Sequence, residues 1–323
     1  MRITRTLVVL APLIVAGLVS YTWWSARQAE AQVPPLGQFV DVGGMRLHYV
    51  DRGQGPVIVM VHGLSGNLRN FHALIDRLAK DHRVIAVDRP DCGYSTRLSG
   101  KHPDLFAQAA VLAEFMRTLD LRRPLLVGHS LGGALSLALA LDHPEAVSGL
   151  VLIAPASGAI VDPPAVFKDL DLTSPLAREL VAWTLATLIG KLKHEAMLRD
   201  VFAPEPVPAN FDVDGGGALA ARPLEFVTAS QDMVGLRYEL PTMVPRYAAL
   251  TLPVDVVFGR QDPLLDYKLH GERLAAAIPG ARLHLLEGGH MLPVTQADTV
   301  AALIAQAAEK PLATTAVAVS GTR

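Results

Sequence analysis

A chain of 323 residues, half of them hydrophobic, is long enough to bury one large core and to hold one catalytic domain with an insertion. A formal net charge of -2, with no run of five or six like charges, excludes an electrostatic footprint for nucleic acid and leaves small or neutral substrates as the expected partners. The single cysteine, Cys92, excludes an intramolecular disulfide framework and says nothing of redox compartment.

At the N-terminus, Arg2 and Arg5 precede an uncharged stretch from Thr6 to Trp24. About nineteen residues rising about 1.5 Å each reach roughly 28 Å, close to the thickness of a bilayer core. Tyr21, Trp23 and Trp24 stand where an interfacial aromatic belt would lie, and the leading arginines would hold the N-terminus in the cytoplasm. The expectation is a transmembrane helix within residues 1–24 that anchors the protein in a membrane with its catalytic body exported. The competing reading is a cleaved signal peptide, because Ala29-Glu30-Ala31 has the small-x-small form of a cleavage site; a secreted or periplasmic protein would then begin at Gln32. Residues 25–36, polar and proline-broken, read as a linker.

Folding is expected to begin near Gly37. Phe39-Val40 and Leu47 to Val50 flank Gly43-Gly44, a two-residue hairpin signal. The apolar runs that follow, Val57 to Val61, Val84 to Val87, Leu125 to Val127 and Leu150 to Ile153, are continuous rather than alternating, as in strands buried on both faces. Between them, Leu68 to Leu78 and Leu105 to Leu119 carry apolar residues at helical spacing. Strand alternating with helix predicts a parallel sheet covered on both faces.

The alternation stops after Ile153 and resumes with a strand at Val254 to Phe258, a helix near Leu265 to Ala277, a strand at Leu283 to Leu286 and a helix from Thr295 to about Ala308. The gap, about residues 157–250, predicts an inserted helical cap. Ser174-Pro175 suits a helix start, and breakers at Pro204 to Pro208 and Gly215 to Gly217 divide the insertion into two helical halves. Residues 37–308 thus form the expected catalytic domain and residues 309–323 a frayed tail.

The chemistry-bearing segment is Gly128-His129-Ser130-Leu131-Gly132, between a strand and a helix. Glycines two before and two after a serine permit a sharp turn that lifts its hydroxyl above the sheet, and the N–H of Leu131 at the helix start can receive a developing oxyanion. A serine nucleophile needs a base oriented by a carboxylate. Asp262 follows the strand Val254 to Phe258, and His290 follows the strand Leu283 to Leu286 through Glu287-Gly288-Gly289. Asp255 and Asp266 are the alternatives to Asp262; the first lies inside the strand and the second suits a cap on the next helix. Of eleven histidines, His290 alone closes a strand in this way, and His48, His72, His82, His102, His143, His194, His270 and His284 read as structural. The backbone of Leu64, after His62-Gly63, is the candidate for a second oxyanion donor. No metal-binding pair, phosphate loop or dinucleotide fingerprint is present, and the chemistry requires no cofactor.

The segments HGLSGN, DRPDCGYS, GHSLGG, GRQDPL and GGHMLP, in this order between about Gly37 and Ala308, resemble the ordered motifs of the α/β-hydrolase superfamily. The resemblance implies an α/β fold with an eight-stranded, mostly parallel sheet and a helical cap inserted after the sixth strand. It further implies a triad of Ser130, Asp262 and His290, with Leu64 and Leu131 as oxyanion donors. It covers esterases, lipases and the hydrolases of aromatic ring-cleavage products. Asp91-Cys92 departs from it, standing where many relatives have Gly-Phe or Gly-His, and so bears on substrate shape.

Ester hydrolysis of a small apolar acyl substrate is the leading expectation. Carbon–carbon hydrolysis of a ring-cleavage dienoate by the same triad is the alternative, which asks for cations near the substrate carboxylate; Arg69, Arg89 and Arg260 are the candidates. A catalytically silent binding module is the reading from outside enzymology. Trp183, Leu185, Leu188, Phe202 and Phe226 of the cap are candidates for an apolar acyl pocket or for the cap's own core.

Overall fold

The structure is a computed structural model that describes residues 2–160 and 162–309, with side chains from residue 12 onward. The residues 310–323 of the expected tail lie outside this range.

Among the described residues, nine strands make one sheet: β1 (Gln38–Val42), β2 (Met45–Arg52), β3 (Val57–Val61), β4 (Arg83–Val87), β5 (Thr96–Arg97), β6 (Leu125–His129), β7 (Gly149–Ile153), β8 (Val254–Gly259) and β9 (Arg282–Leu286). Their spatial order is β1-β2-β4-β3-β6-β7-β8-β9, with the two-residue β5 paired to β2. Eight strands therefore form the main path, as expected. β1, β2 and β5 pair antiparallel and every pair from β4 to β9 is parallel. The first hairpin closes at Val42 opposite Met45, and its two turn residues, Gly43 and Gly44, both have positive φ, the mirror-image turn that follows the twist of a strand pair.

The continuous apolar runs have a direct cause. Side chains alternate faces along β3, so Val59 and Val61 enter one core while Ile58 and Met60 enter the other, and all four are fully buried. Each such side chain contributes about 1.5–3 kcal/mol by leaving water. One core is closed by α3 (Leu105–Thr118) and α4 (Leu131–Asp142), the other by α2 (His72–Leu78) and α11 (Ala297–Ala308). The helix expected near Leu265 to Ala277 is a π-helical turn, Lys268–Glu272, running into α9 (Arg273–Ala277), and α10 (Leu292–Thr295) precedes α11.

The cap leaves the sheet after β7, the sixth strand of the main path, and returns at β8. It holds α5 (Pro175–Val181), a π-helical turn, α6 (Thr187–Phe202), α7 (Phe211–Asp214) and α8 (Pro223–Met243). Ser174 caps α5 by accepting from Ala177 N–H, with Pro175 at the first helical position.

The N-terminal expectation is overturned. α1 (Arg2–Gln32) is long, continuing through the stretch read as a linker as far as Gln32, yet among the described residues no helix is long and apolar enough to cross a membrane. A transmembrane anchor, membrane partnership through this helix and a membrane-anchored location are withdrawn. Absence of charge is not the same as apolarity, on which insertion depends, and Ser20, Tyr21, Thr22, Ser25, Gln28 and Gln32 interrupt the run or follow it closely. Part of the helix is instead packed on protein: Thr22, Ser25 and Ala29 are buried, and the helix lies against the π-helical turn of the cap. Lys191 of α6 donates to Ser25 Oγ at 3.0 Å, and Arg222 lies 3.7 Å from Glu30. Beyond α1, Arg69 donates to Pro34 O at 2.7 Å.

Candidate active site

Ser130 sits between the last residue of β6 and the first of α4, with φ 55° and ψ -120°. A non-glycine residue adopts such a backbone only where its surroundings enforce it. Here Ser130 N–H donates to Ile153 O at 2.9 Å, and its carbonyl accepts from Gly133 and Ala156 N–H at 2.9 and 3.1 Å. The turn is tight enough that a Cβ on Gly132 would strike the carbonyl of Val61 at the end of β3, which is why only glycine fits there.

His290 and Asp262 arrive on the loops after β9 and β8. His290 Nδ1 lies 2.7 Å from Asp262 Oδ2, and both side chains are almost wholly buried. Asp262 Oδ1 accepts from the N–H groups of Leu264 and Leu265 at 2.8 and 3.0 Å. Burial opposes ionisation of this carboxyl, but the His290 charge and hydrogen bond, with the two backbone donors, outweigh it and hold the pKa below the ordinary aspartate value. Beneath His290, the ring of His129 is neutral, its pKa pushed down to about 3 by burial, and its Nε2–H donates to His290 O at 3.0 Å.

Ser130 and His290 line one cavity of about 30 Å³, together with Leu64, Leu131 and apolar cap residues such as Phe167 and Met233. The two backbone positions expected to donate to an oxyanion thus border the same space. The alternative acids lie elsewhere: Asp255 pairs with Arg282 and His284 at 2.5 and 2.8 Å, and Asp266 accepts from Lys268 N–H at 2.9 Å.

The candidate cations are not at this cavity. Arg260 faces Glu287 at 3.4 Å on the surface, Arg69 holds backbone carbonyls, and Arg89 is buried in an ion pair with Asp232 at 2.8 Å. Leu185 and Phe226 line a second, larger cavity of about 1020 Å³ between α1 and the cap, whose wall includes Phe167, shared with the first. Phe202 instead packs on Phe211 and Met291, while Trp183 and Leu188 are partly exposed.

Several site-supporting residues escape a local reading. Asp91 has φ 59°, the left-handed region that glycine favours; its carboxylate meets Arg97 at 2.7 Å and His102 at 3.0 Å. His270, neutral with its pKa pushed down to about 4 by burial, accepts from Ser157 and Gly158 N–H and so fixes the start of the cap. Glu205 of the cap accepts from Gly289 N–H at 3.0 Å, beside His290. Most informative are Glu225, Asp232 and Glu239, spaced by seven along α8 and turned toward the core. Glu225 accepts from Gly93 N–H at 2.7 Å, Asp232 from Arg89, and Glu239 from Leu105 N–H at 3.1 Å. That two-turn repeat of acids was the available signal, since residues seven apart share a helix face.

The model of the family described as the alpha/beta hydrolase fold matches residues 56–297. The chain belongs to this family. Among the relatives, an uncharacterized protein of Mycobacterium tuberculosis is 28% identical over 278 residues, 83% of this chain and 79% of the relative. The 2-hydroxy-6-oxo-2,4-heptadienoate hydrolase of Pseudomonas putida is 29% identical over 279 residues, 81% of this chain and 92% of that protein. A thermophilic esterase from Thermogutta terrifontis superposes with a TM-score of 0.69 at 23% identity, covering 84% of this chain and 97% of that one, a likeness of fold.

Proposed function

We propose that this α/β-hydrolase cleaves carboxylic esters through an acyl-enzyme on Ser130. The observation that carries the reading is the short His290–Asp262 bond beside a small cavity that Ser130 shares with His290 and otherwise apolar side chains. Asp262 accepts the Nδ1 proton of His290, which leaves Nε2 as the basic nitrogen. Ser130 Oγ attacks the ester carbonyl and its proton passes to Nε2. The oxyanion is received by the N–H groups of Leu64 and Leu131, each worth about 3 kcal/mol of barrier in comparable sites. His290 returns the proton to the departing alcohol; water then adds to the acyl-enzyme by the same route and releases the acid.

A second reading is supported by the Pseudomonas putida relative, whose name describes hydrolysis of a dienoate. Such a substrate carries a carboxylate, and among the described residues no arginine or lysine lines the cavity at Ser130, which favours the ester.

A panel of p-nitrophenyl esters of graded acyl length, run beside a 2-hydroxy-6-oxo-dienoate, tests the assignment. Ester turnover that is lost in Ser130→Ala, together with fluorophosphonate labelling, is the expected result. Faster turnover of the dienoate than of every ester would overturn it in favour of the second reading.

A further inference from the structure

The loop expected to supply one oxyanion donor, His62-Gly63-Leu64, is closed on itself by Gly66 N–H donating to Gly63 O at 3.3 Å and is held from behind by a side chain that reaches it from the end of β4. Arg89, the second residue after that strand, is fully buried, and its guanidinium donates from Nε to His62 O at 3.1 Å and from a terminal nitrogen to Gly63 O at 3.4 Å. The Arg89 N–H also donates to His62 Nε2 at 2.9 Å, and His62 Nδ1 lies 2.9 Å from Gly63 O. Both ring nitrogens are used only if His62 is neutral with its proton on Nδ1, in keeping with a pKa pushed down to about 4 by burial.

These contacts have a directional consequence. In a planar trans peptide, C=O and N–H point in opposite directions. The carbonyl of Gly63 and the N–H of Leu64 belong to one such unit, so fastening Gly63 O to Arg89 and His62 turns the Leu64 N–H the other way. Leu64 lines the cavity of Ser130, and a Cβ on Gly63 would come within 2.9 Å of Ser130 Cβ, so the loop lies directly against the nucleophile. A rotation of that peptide would replace a donor with a carbonyl oxygen at the place where negative charge develops.

Arg89 is itself held by the cap. One terminal nitrogen donates to Asp232 of α8 at 2.8 Å and to Gln108 of α3 at 3.0 Å; Asp232 in turn meets His102 Nε2 at 2.9 Å and accepts from Gln108 at 2.9 Å. The guanidinium plane is thereby fixed from two sides, a fork that a lysine ammonium cannot reproduce.

Building on the ester-hydrolase reading, we propose that Arg89, locked by Asp232 of the cap, is a positioning residue that sets the Gly63–Leu64 peptide in its donor orientation, so that a docked cap is a condition for oxyanion stabilisation. Arg89 touches no substrate; it acts through the Leu64 N–H.

The test uses the full chain with Arg89→Lys, which keeps a charge for Asp232 but loses the fork, and Asp232→Asn, which leaves Arg89 in place but removes the charge of its cap partner. Both are assayed with a p-nitrophenyl ester and with an aryl trifluoromethyl ketone, which adds to a serine hydroxyl to give a stable oxyanion. Removing an oxyanion donor costs about 10²–10³ in kcat. Arg89→Lys is expected to lower kcat by about 30-fold or more with KM changed less than about threefold, and to weaken ketone affinity by a matching factor; Asp232→Asn follows with a loss of about 10-fold. If Arg89→Lys does not fold, Asp232→Asn decides. A fall in Tm with kcat and ketone affinity intact, or a rise in KM alone, would overturn the proposal. Ser130→Ala runs in parallel: turnover retained there refutes the serine reading itself, whereas an inactive Ser130→Ala beside a fully active Asp232→Asn refutes only the positioning role.

Discussion

The two sides of the candidate site are held by different forces. On the acid–base side, His290 and Asp262 follow adjacent parallel strands and are fixed by one short bond, by backbone donors and by the carbonyl contact with His129. On the oxyanion side, the loop after β3 is held by a buried ionic cluster that crosses from the core into the cap. The first arrangement rests mainly on the sheet, with one cap contact from Glu205 to Gly289 N–H. The second exists only when α8 is in place. Charges taken out of water gain little net stability, but an unpartnered one costs several kcal/mol, so the cluster acts less as glue than as a demand for one geometry.

Variants that strike one side and spare the other break the comparison most sharply. The largest effect belongs to Asp262→Asn, which removes control of the His290 tautomer; kcat should fall about 10⁴-fold, as in other triads, with little change in Tm. Asp255→Asn and Asp266→Asn should leave kcat within about threefold, because their carboxylates serve Arg282, His284 and a helix start. Comparable losses in all three variants would remove Asp262 from the mechanism.

Next in size is the pH dependence of the oxyanion side. Burial opposes protonation of His102, but its hydrogen bonds to Asp232 and Asp91 prevail and lift its pKa from 6.5 to about 9. A raised pKa means that the charged ring contributes stability in full below pH 6.5 and loses it as pH climbs through about 9. Glu225 and Glu239, both lifted from 4.5 to about 7 by burial, contribute in full below pH 4.5 and lose that contribution as pH rises through about 7, largely before this window. The comparison between wild type and His102→Gln from pH 7 to 9 therefore isolates the histidine. Wild type should lose at most about 3 kcal/mol more than the variant across that window, read by thermal denaturation. Parallel curves for the two proteins would mean that His102 does not titrate with folding.

Glu205→Gln asks whether the cap also governs the acid–base side. It weakens the charge-assisted contact of Gly289 N–H with both Glu205 carboxylate oxygens, and steady-state kinetics should register a loss of about two- to tenfold in kcat. A larger loss than that of Asp232→Asn would reverse the contrast drawn between the two sides. The smallest effect is expected for Arg260→Gln, whose surface pair with Glu287 is worth under about 1 kcal/mol; both kcat and Tm should hold. A marked rise in KM for an anionic substrate alone would place Arg260 in substrate binding.

The main path of the sheet and the positions of Ser130, Asp262 and His290 just after the ends of strands were legible in residue order. Continuous apolar runs mark strands buried on both faces, and glycines mark the turns where backbones touch; both are local consequences of side-chain size. The role of the N-terminal helix is not legible in its own residues, because freedom from charge is not apolarity and the burial of Thr22 and Ser25 against protein has no trace in α1 itself. The oxyanion-side cluster was illegible for a related reason. Arg89 and Asp232 lie 143 residues apart, and Arg89 reads equally well as a substrate anchor until the cap is seen closing over it. Sequence determines which residues can do chemistry at the ends of strands. Which buried charges pair, and hence which way one peptide faces, is decided by contacts between distant elements, where desolvation makes the choice of partner an all-or-none matter.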